Sequence, residues 1–246
     1  MATLKENINQ AIADFDSIKE AIENQGVEVP NGTPTSQYGS KIDEISDYMK
    51  QRCEGTITTY HIPSDISKIA QDAFAYTNLT SITIPTNIKR IEKEAFKYCP
   101  FTSITFVDDY DGTQDLSIDT YGFGYCEGKI KELTLPKRLR YLGHMAICSM
   151  RYLEILTIQT TNVDFGYDQI WWCNNLKEVH IPKGFERDLN ISNYINIEKE
   201  SLLEIINNYA DCTGKNSCTL KIGTTNLAKL TEEEKAIATN KNIKLQ

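Results

Sequence analysis

The chain has little of what the common enzyme classes use. Only three histidines, His61, His144 and His180, occur among 246 residues. There is no Gly-x-Ser-x-Gly elbow, P-loop, dinucleotide fingerprint or His-Glu-x-x-His helix. Paired carboxylates are frequent at this acidity and single out no glycosidase site. No stretch is apolar enough to span a bilayer. The first residues, MATLKENINQAIADFDS, lack the charged-then-apolar order of a signal peptide, so synthesis in a cytoplasm without export by the usual route is expected. Basic clusters are also missing. With 26 Lys/Arg against 34 Asp/Glu the net charge is -8, which argues against a nucleic-acid backbone or an anionic membrane as partner. The seven cysteines include no Cys-x-x-Cys and no histidine at ligand spacing, so zinc is not expected, nor any other metal or cofactor. The acidic run Asp108-Asp109-Tyr110-Asp111-Gly112 departs from an EF-hand loop and reads as a solvated loop.

What the chain does have is a repeat. Leu79 to Cys99, LTSITIPTNIKRIEKEAFKYC, restates Ile57 to Asn78 at a step of 22 residues, as His61-Ile62-Pro63 becomes Thr83-Ile84-Pro85 and Ala73-Phe74 becomes Ala95-Phe96. That period lies in the range of stacked repeat folds. Strand cores follow at Tyr60/Ile62, Ile82/Ile84, Ile104/Phe106, Leu133/Leu135, Leu156/Ile158 and Val179/Ile181, with period-2 alternation. Pro63, Pro85, Pro136 and Pro182 end their strands, as a residue without an N–H does. A second apolar pair follows, Ile66/Ile69 and Ile88/Ile91. An aromatic shoulder at Phe74, Phe96, Phe123 and Trp171 then closes each repeat. Cys99, Cys126, Cys148 and Cys173 recur once per repeat and are expected as a column of reduced, buried thiols. Cys212 and Cys218 flank a Gly-containing turn, where a disulfide is possible but not implied.

Alternation turns one set of strand positions outward. These are His61, Thr83, Thr105, Thr134, Thr157 and His180, a candidate binding face. The alternative is simply that threonine suits an exposed sheet. Trp171-Trp172 is the second candidate. Adjacent residues in an extended segment face opposite ways, so one tryptophan fills the shoulder and the other is free for a protein or glycan contact. Packing of both is the competing reading.

Ahead of the repeats, Thr3 and Glu6 form a capping box opening a helix to about Gln25. Leu4, Ile8, Ala11, Phe15, Ile18 and Ile22 make a heptad seam along it. A turn-rich loop and a second helix with Tyr38, Ile42, Ile45 and Met49 follow. The helices either fold back as a hairpin or pair with other copies as a dimer or trimer, which makes Leu4, Ile8, Phe15, Ile18 and Ile22 candidate docking residues. After the repeats, Ser201 to Tyr209 reads as an amphipathic helix and Leu220/Ile222 as a strand. Thr231 with Glu234 caps a further helix, and Ile243/Leu245 makes a last strand. Together these would cover the final repeat.

The pattern LTSITIP…IxxIxxxAFxxC resembles the BspA-like (Treponema pallidum type) leucine-rich repeats over Thr56 to Pro182. That resemblance implies an α+β repeat fold, a leucine-rich-repeat solenoid with a parallel sheet on one face. An N-terminal helical segment (1–52) would precede the solenoid (53–185), and an α/β cap (186–246) would close it. INQAIADFDSIKEAIENQGVEVPNGTPTSQYGSKIDEI is similar to N-terminal attachment segments of bacteriophage tail, fibre and other virion proteins. SLLEIINNYADCTGKNSCTLKIGTTNLAKLTEEEKAIATNKNIKL is similar to the terminal segment of such repeats in phage and gut-bacterial proteins. These resemblances imply a non-enzymatic virion structural protein of tail, fibre, baseplate or head decoration, assembled in the host cytoplasm. Its partners would be other virion proteins, itself, or a host surface protein or glycan. The alternative is a bacterial cell-surface or secreted adhesin. A glycan hydrolase is the third class and requires a clustered acidic cleft.

Overall fold

The computed structural model describes residues 57–109 and 112–246, and Thr58–Gln246 form one compact unit. The seam of Leu4, Ile8, Phe15, Ile18 and Ile22 lies outside the described residues. Every strand pairing among the described residues is parallel. The protein is a repeat protein of short parallel strands with few helices.

The repeats contribute strands to two faces, and the later ones also to a short third ladder. On the first, β1 (Thr59–Tyr60) pairs with β3 (Ser81–Ile84), and β3 with β5 (Ser103–Phe106). A separate ladder joins β7 (Glu132–Leu135), β10 (Ile155–Ile158) and β13 (Glu178–His180). The second face is continuous, in the order β2 (Lys68–Ile69), β4 (Arg90–Ile91), β6 (Leu116–Ile118), β8 (Leu139–Leu142) and β11 (Asp164–Phe165). The single sheet implied by the family resemblance is therefore several.

The step explains the break on the first face. Thr59 pairs with Ser81 and Ser81 with Ser103, whereas Arg90 pairs with Ser117 across the lengthened third repeat. The extra residues leave between β5 and β7, and the main-chain ladder there stops. Arg138 fills the interval. Its guanidinium is wholly buried and donates to the Ile88 and Pro85 carbonyls, at 2.6 and 2.9 Å, two repeats back. Burial lowers its pKa, and the charges of Asp108 and Asp109 oppose that shift.

The core is a stack of columns. Ile82, Ile84, Ile88, Ile91, Leu133, Leu135, Leu156 and Ile158 are buried. Each contributes about 1.5–3 kcal/mol by leaving water. The shoulder column starts with stacked phenylalanines, Phe74–Phe96 at 5.2 Å and Phe96–Phe123 at 5.0 Å. It does not continue to Trp171. The Phe123 N–H donates to the Ala146 carbonyl, and β9 (Ile147–Cys148) pairs with β12 (Ile170–Trp171) so that Ile147 faces Ile170 and Cys148 faces Trp171. Isoleucines thus take the later shoulder positions. The same register moves Cys148 out of the thiol column. It is buried but sits two residues ahead of Met150, which occupies the position matching Cys99, Cys126 and Cys173.

The C-terminal residues close the last repeat. Helix α1 (Lys199–Asn208) lays Ser201 against β13, where its hydroxyl accepts from the Val179 N–H at 2.9 Å and donates to the Val179 carbonyl at 3.2 Å. This satisfies an exposed sheet edge. Segment 186–196 contains β14 (Leu189–Asn190) and buried Leu189, Ile191 and Tyr194. β14 pairs with β15 (Cys218–Lys221), and β15 with β16 (Ile243–Leu245). Between them lie α2 (Gly223–Leu227) and α3 (Glu232–Asn240), the latter opened by the expected Thr231/Glu234 capping box. Ile222 is buried at the start of α2 rather than in the strand. Lys241 caps α1, its Nζ donating to the carbonyls of Ile206, Asn207 and Tyr209. Among the described residues no helix is long and apolar enough to cross a membrane.

Candidate functional site

Two surfaces are built by the repeats. The first is the polar strand face. Thr83 lies beside Thr105, and Thr134 beside Thr157 and then His180. His61, Thr83, Thr105 and Thr134 are exposed, while Thr157 and His180 are half-buried. The face is not one unbroken row. At the break between β5 and β7 a shallow groove of about 290 Å³ forms, lined by Thr105, Phe106, Asp108, Glu132, Thr134 and Gln159. At the far end His180 is held between two carboxylates, Nδ1 at 3.0 Å from Glu204 and Nε2 at 3.2 Å from Glu178. This fixes its ring on the surface, and the threonines carry no comparable network. Among the described residues no group of three or more His, Cys, Asp or Glu side chains is placed to hold a metal.

The second surface comes from backbone chemistry. Each repeat makes two tight turns, such as Ala73 N–H to Ala70 O and Ala75 N–H to Asp72 O. The intervening N–H groups of Asp72, Phe74 and Tyr76 are thereby freed to donate to Lys93, Ala95 and Lys97 of the next repeat. This geometry needs left-handed residues four apart: Asp72 and Tyr76, Glu94 and Tyr98, Tyr121 and Tyr125, Met145 and Ser149, Asp168 and Trp172. A side chain in that region costs about 1–2 kcal/mol, and the inter-repeat hydrogen bonds offset the strain. The conformation turns the tyrosines at these positions toward the surface, whereas Ser149 stays buried.

Tyrosines fill many of these positions, so their rings align. Tyr76 stacks on Tyr98 at 4.8 Å, Tyr98 on Tyr125 at 5.0 Å, and Tyr125 on Tyr121 at 5.7 Å. The row continues edge-on to His144 and from there, stacked at 5.8 Å, to Tyr167. The His144 ring is oriented by a 2.7 Å contact from Nδ1 to the Tyr167 carbonyl. Lys97 lies over the rings of Tyr98, Tyr121 and Tyr125 at 5.2–5.8 Å, its ammonium 2.7 Å from Glu94. That cation–π arrangement pins the centre of the row. The ends are open, with Tyr76 71% and Tyr167 75% exposed. Trp172 is 50% exposed at a left-handed position, and Trp171 is half-buried beside it, with ring centroids 6.3 Å apart.

This row was not singled out from sequence. Its signal was the aromatic two residues after Phe74, Phe96 and Phe123, namely Tyr76, Tyr98 and Tyr125. Beneath it the thiols are chemically quiet. Cys99 donates to the Phe74 carbonyl at 3.0 Å and Cys126 to the Phe96 carbonyl at 3.2 Å. Burial pushes the Cys99 thiol up to about 11 and Cys173 to about 12, so neither supplies a thiolate nucleophile near neutrality.

The repeat pattern is matched by the model of the BspA type leucine rich repeat region, in 6 copies over residues 32–115 and 114–210. The chain belongs to this family. No curated protein matches it. Among solved structures, the BspA-type chain is similar to the pneumococcal vaccine antigen PcpA, at 20% identity and a TM-score of 0.40, covering 68% of this chain and 57% of that one. The chain thus spans little more than half the length of that protein. Ladders of parallel strands recurring along the stack are what the described residues of this BspA-type chain present.

Proposed function

We propose that the protein is a non-enzymatic binding module that engages a protein partner at a cell surface through its repeats. The carrying observation is the row Tyr76–Tyr98–Tyr125–Tyr121–His144–Tyr167, rings in contact across successive repeats with exposed ends. Stacked tyrosines expose their edges and hydroxyls rather than their faces. Such a surface offers apolar contact and hydrogen bonding together, at low entropic cost because the rings already hold one another. Sugar stacking needs open ring faces, which the interior of the row does not offer. The outward threonines and the groove at the β5–β7 break form a polar flank to the same repeats.

Membership in a repeat family, together with that surface, supports the cell-surface setting. The virion setting rests on residues 1–52, outside the described residues, and neither the repeats nor the comparisons support it. Self-association through Leu4, Ile8, Phe15, Ile18 and Ile22 belongs to the same proposal, and a monomeric mass in solution refutes it.

The test is binding of labelled full-length protein to intact epithelial and bacterial cells. Saturable binding should be abolished by proteolytic shaving of the cells and weakened at least tenfold by Tyr76→Ala with Tyr98→Ala and Tyr167→Ala. Loss on periodate treatment instead overturns the protein partner in favour of glycan, and absence of saturable binding overturns the surface role.

A further inference from the structure

The sulfurs of Cys212 and Cys218 lie 3.5 Å apart, both side chains buried, Cys218 at the start of β15 and Cys212 in the segment leading to it. Their backbones are held in place independently of the sulfurs. The Cys212 N–H donates to the Lys241 carbonyl at 2.9 Å, and Cys218 is paired with Ile243 across β15 and β16. The turn between them is closed by Lys215 N–H to Cys212 O, passes through left-handed Gly214, and is anchored by the Asn242 amide donating to the Cys212 and Lys215 carbonyls. By contrast, Cys99 and Cys126 direct their sulfurs at main-chain carbonyls of the preceding repeat.

We propose that Cys212 and Cys218 are a disulfide site that staples the terminal turn when the chain folds in an oxidising compartment. The oxidant is of the disulfide class, such as oxidised glutathione. One cysteine thiolate attacks it, giving a mixed disulfide and releasing one reduced thiol. The second cysteine then attacks the first cysteine's sulfur in that mixed disulfide and releases the oxidant's other half as a thiol. The two cysteines together lose two protons and two electrons, one S–S bond forms, and the oxidant becomes two thiols. Closing the bond requires the sulfurs to approach by roughly 1.5 Å, a side-chain adjustment within an already formed turn. The reaction belongs to folding rather than to the finished protein. Burial raises the Cys218 thiol to about 12 and shuts both sulfurs away from an oxidant. Once formed, the same burial protects the bond from reductants. The staple joins the turn to the sheet that covers the last repeat, so it protects the end from which a repeat stack opens.

The full-length protein should be refolded from urea in a glutathione redox buffer and in reductant alone, alkylated, digested and mapped by mass spectrometry. The oxidised sample is expected to yield a Cys212–Cys218 cross-link two mass units lighter, with Cys99, Cys126, Cys148 and Cys173 alkylated. Its Tm should exceed that of the reduced sample by about 5–10 °C. Cys218→Ala should abolish both the cross-link and the Tm difference between redox conditions. The proposal is overturned if the turn stays reduced, if either cysteine links elsewhere, or if the cross-linked sample melts at or below the reduced one.

Discussion

Replacing Phe96 with alanine tests whether the phenylalanine column is the element that couples repeats. Phe96 is fully buried, sandwiched between Phe74 and Phe123 at 5.2 and 5.0 Å with planes 8° and 6° apart, and meets Phe101 edge-on at 5.7 Å. Truncation removes the ring's transfer free energy and leaves a cavity that the flanking repeats cannot close without losing their own ladders. The usual cost is about 3–5 kcal/mol. Each lost ring pair is worth about 0.5–1.5 kcal/mol beyond area, which places this site toward the upper end. At about 2–4 °C per kcal/mol for a unit of this size, Tm should fall by roughly 10–20 °C. Urea unfolding followed by circular dichroism measures the loss. The slope with urea reports whether the repeats still unfold together, since it scales with the surface exposed in one step. An unchanged slope with a lowered midpoint means the stack remains one cooperative unit, whereas a reduced slope means repeats on either side have separated. Tyr76→Ala is the control, removing a ring that is stacked on one side only and exposed, at a cost below about 1.5 kcal/mol. If Phe96→Ala loses less than about 1 kcal/mol, the column is not the packed core described above and the reasoning fails.

Other predictions bear on separate parts of the stack. The Glu94 carboxyl is held below its ordinary value of 4.5 chiefly by its hydrogen bond with Lys97. Its contribution is therefore present above pH 4.5 and lost as pH falls through its lowered value. Glu94→Gln should flatten that part of the acid-unfolding curve while leaving stability below it nearly unchanged, and a parallel offset across all pH would refute the assignment. Gly128→Ala should prevent folding, because its Cβ would lie 1.8 Å from the Phe101 carbonyl oxygen, a main-chain atom that cannot turn aside; a native circular dichroism spectrum would contradict this. Arg138→Ala should lower stability by about 1–3 kcal/mol in urea titrations, since it leaves the buried Ile88 carbonyl without its side-chain donor and removes one of the two donors to the Pro85 carbonyl. In the reduced native protein at pH 8, Cys99, Cys126 and Cys173 should resist alkylation for as long as the fold holds and react once urea unfolds it, as site-resolved mass spectrometry would show.

The repeat grammar was legible because it is local arithmetic. A strand one face of which is buried must alternate, a residue without N–H must end it, and a stacked repeat must return at a fixed interval. Ile82/Ile84, Pro85 and Ala95-Phe96 therefore announced their places without any knowledge of the fold. The closing capping box at Thr231 and Glu234 was equally readable, since it depends on four consecutive residues. Register was not readable. The third repeat carries extra residues, and the later pairings step by 23 rather than 22, so counting 22 from Cys126 lands on Cys148, and reading the next aromatic as the shoulder picks Trp171, one residue past the true position. Main-chain hydrogen bonds decide otherwise, placing Ile170 beside Ile147 and Cys148 beside Trp171. The tyrosine row was hidden for a different reason. Whether an aromatic points inward or outward depends on the sign of φ, and left-handed tyrosines are favoured only where the neighbouring repeat accepts the hydrogen bonds that offset their strain. Arg138 reaching two repeats back, and two thiols meeting across a terminal turn, likewise depend on contacts between distant residues. Sequence alone determined the period and the buried set of this protein. Tertiary structure decided which side chains the period finally leaves at the surface, because that is settled by hydrogen bonds between repeats rather than within them.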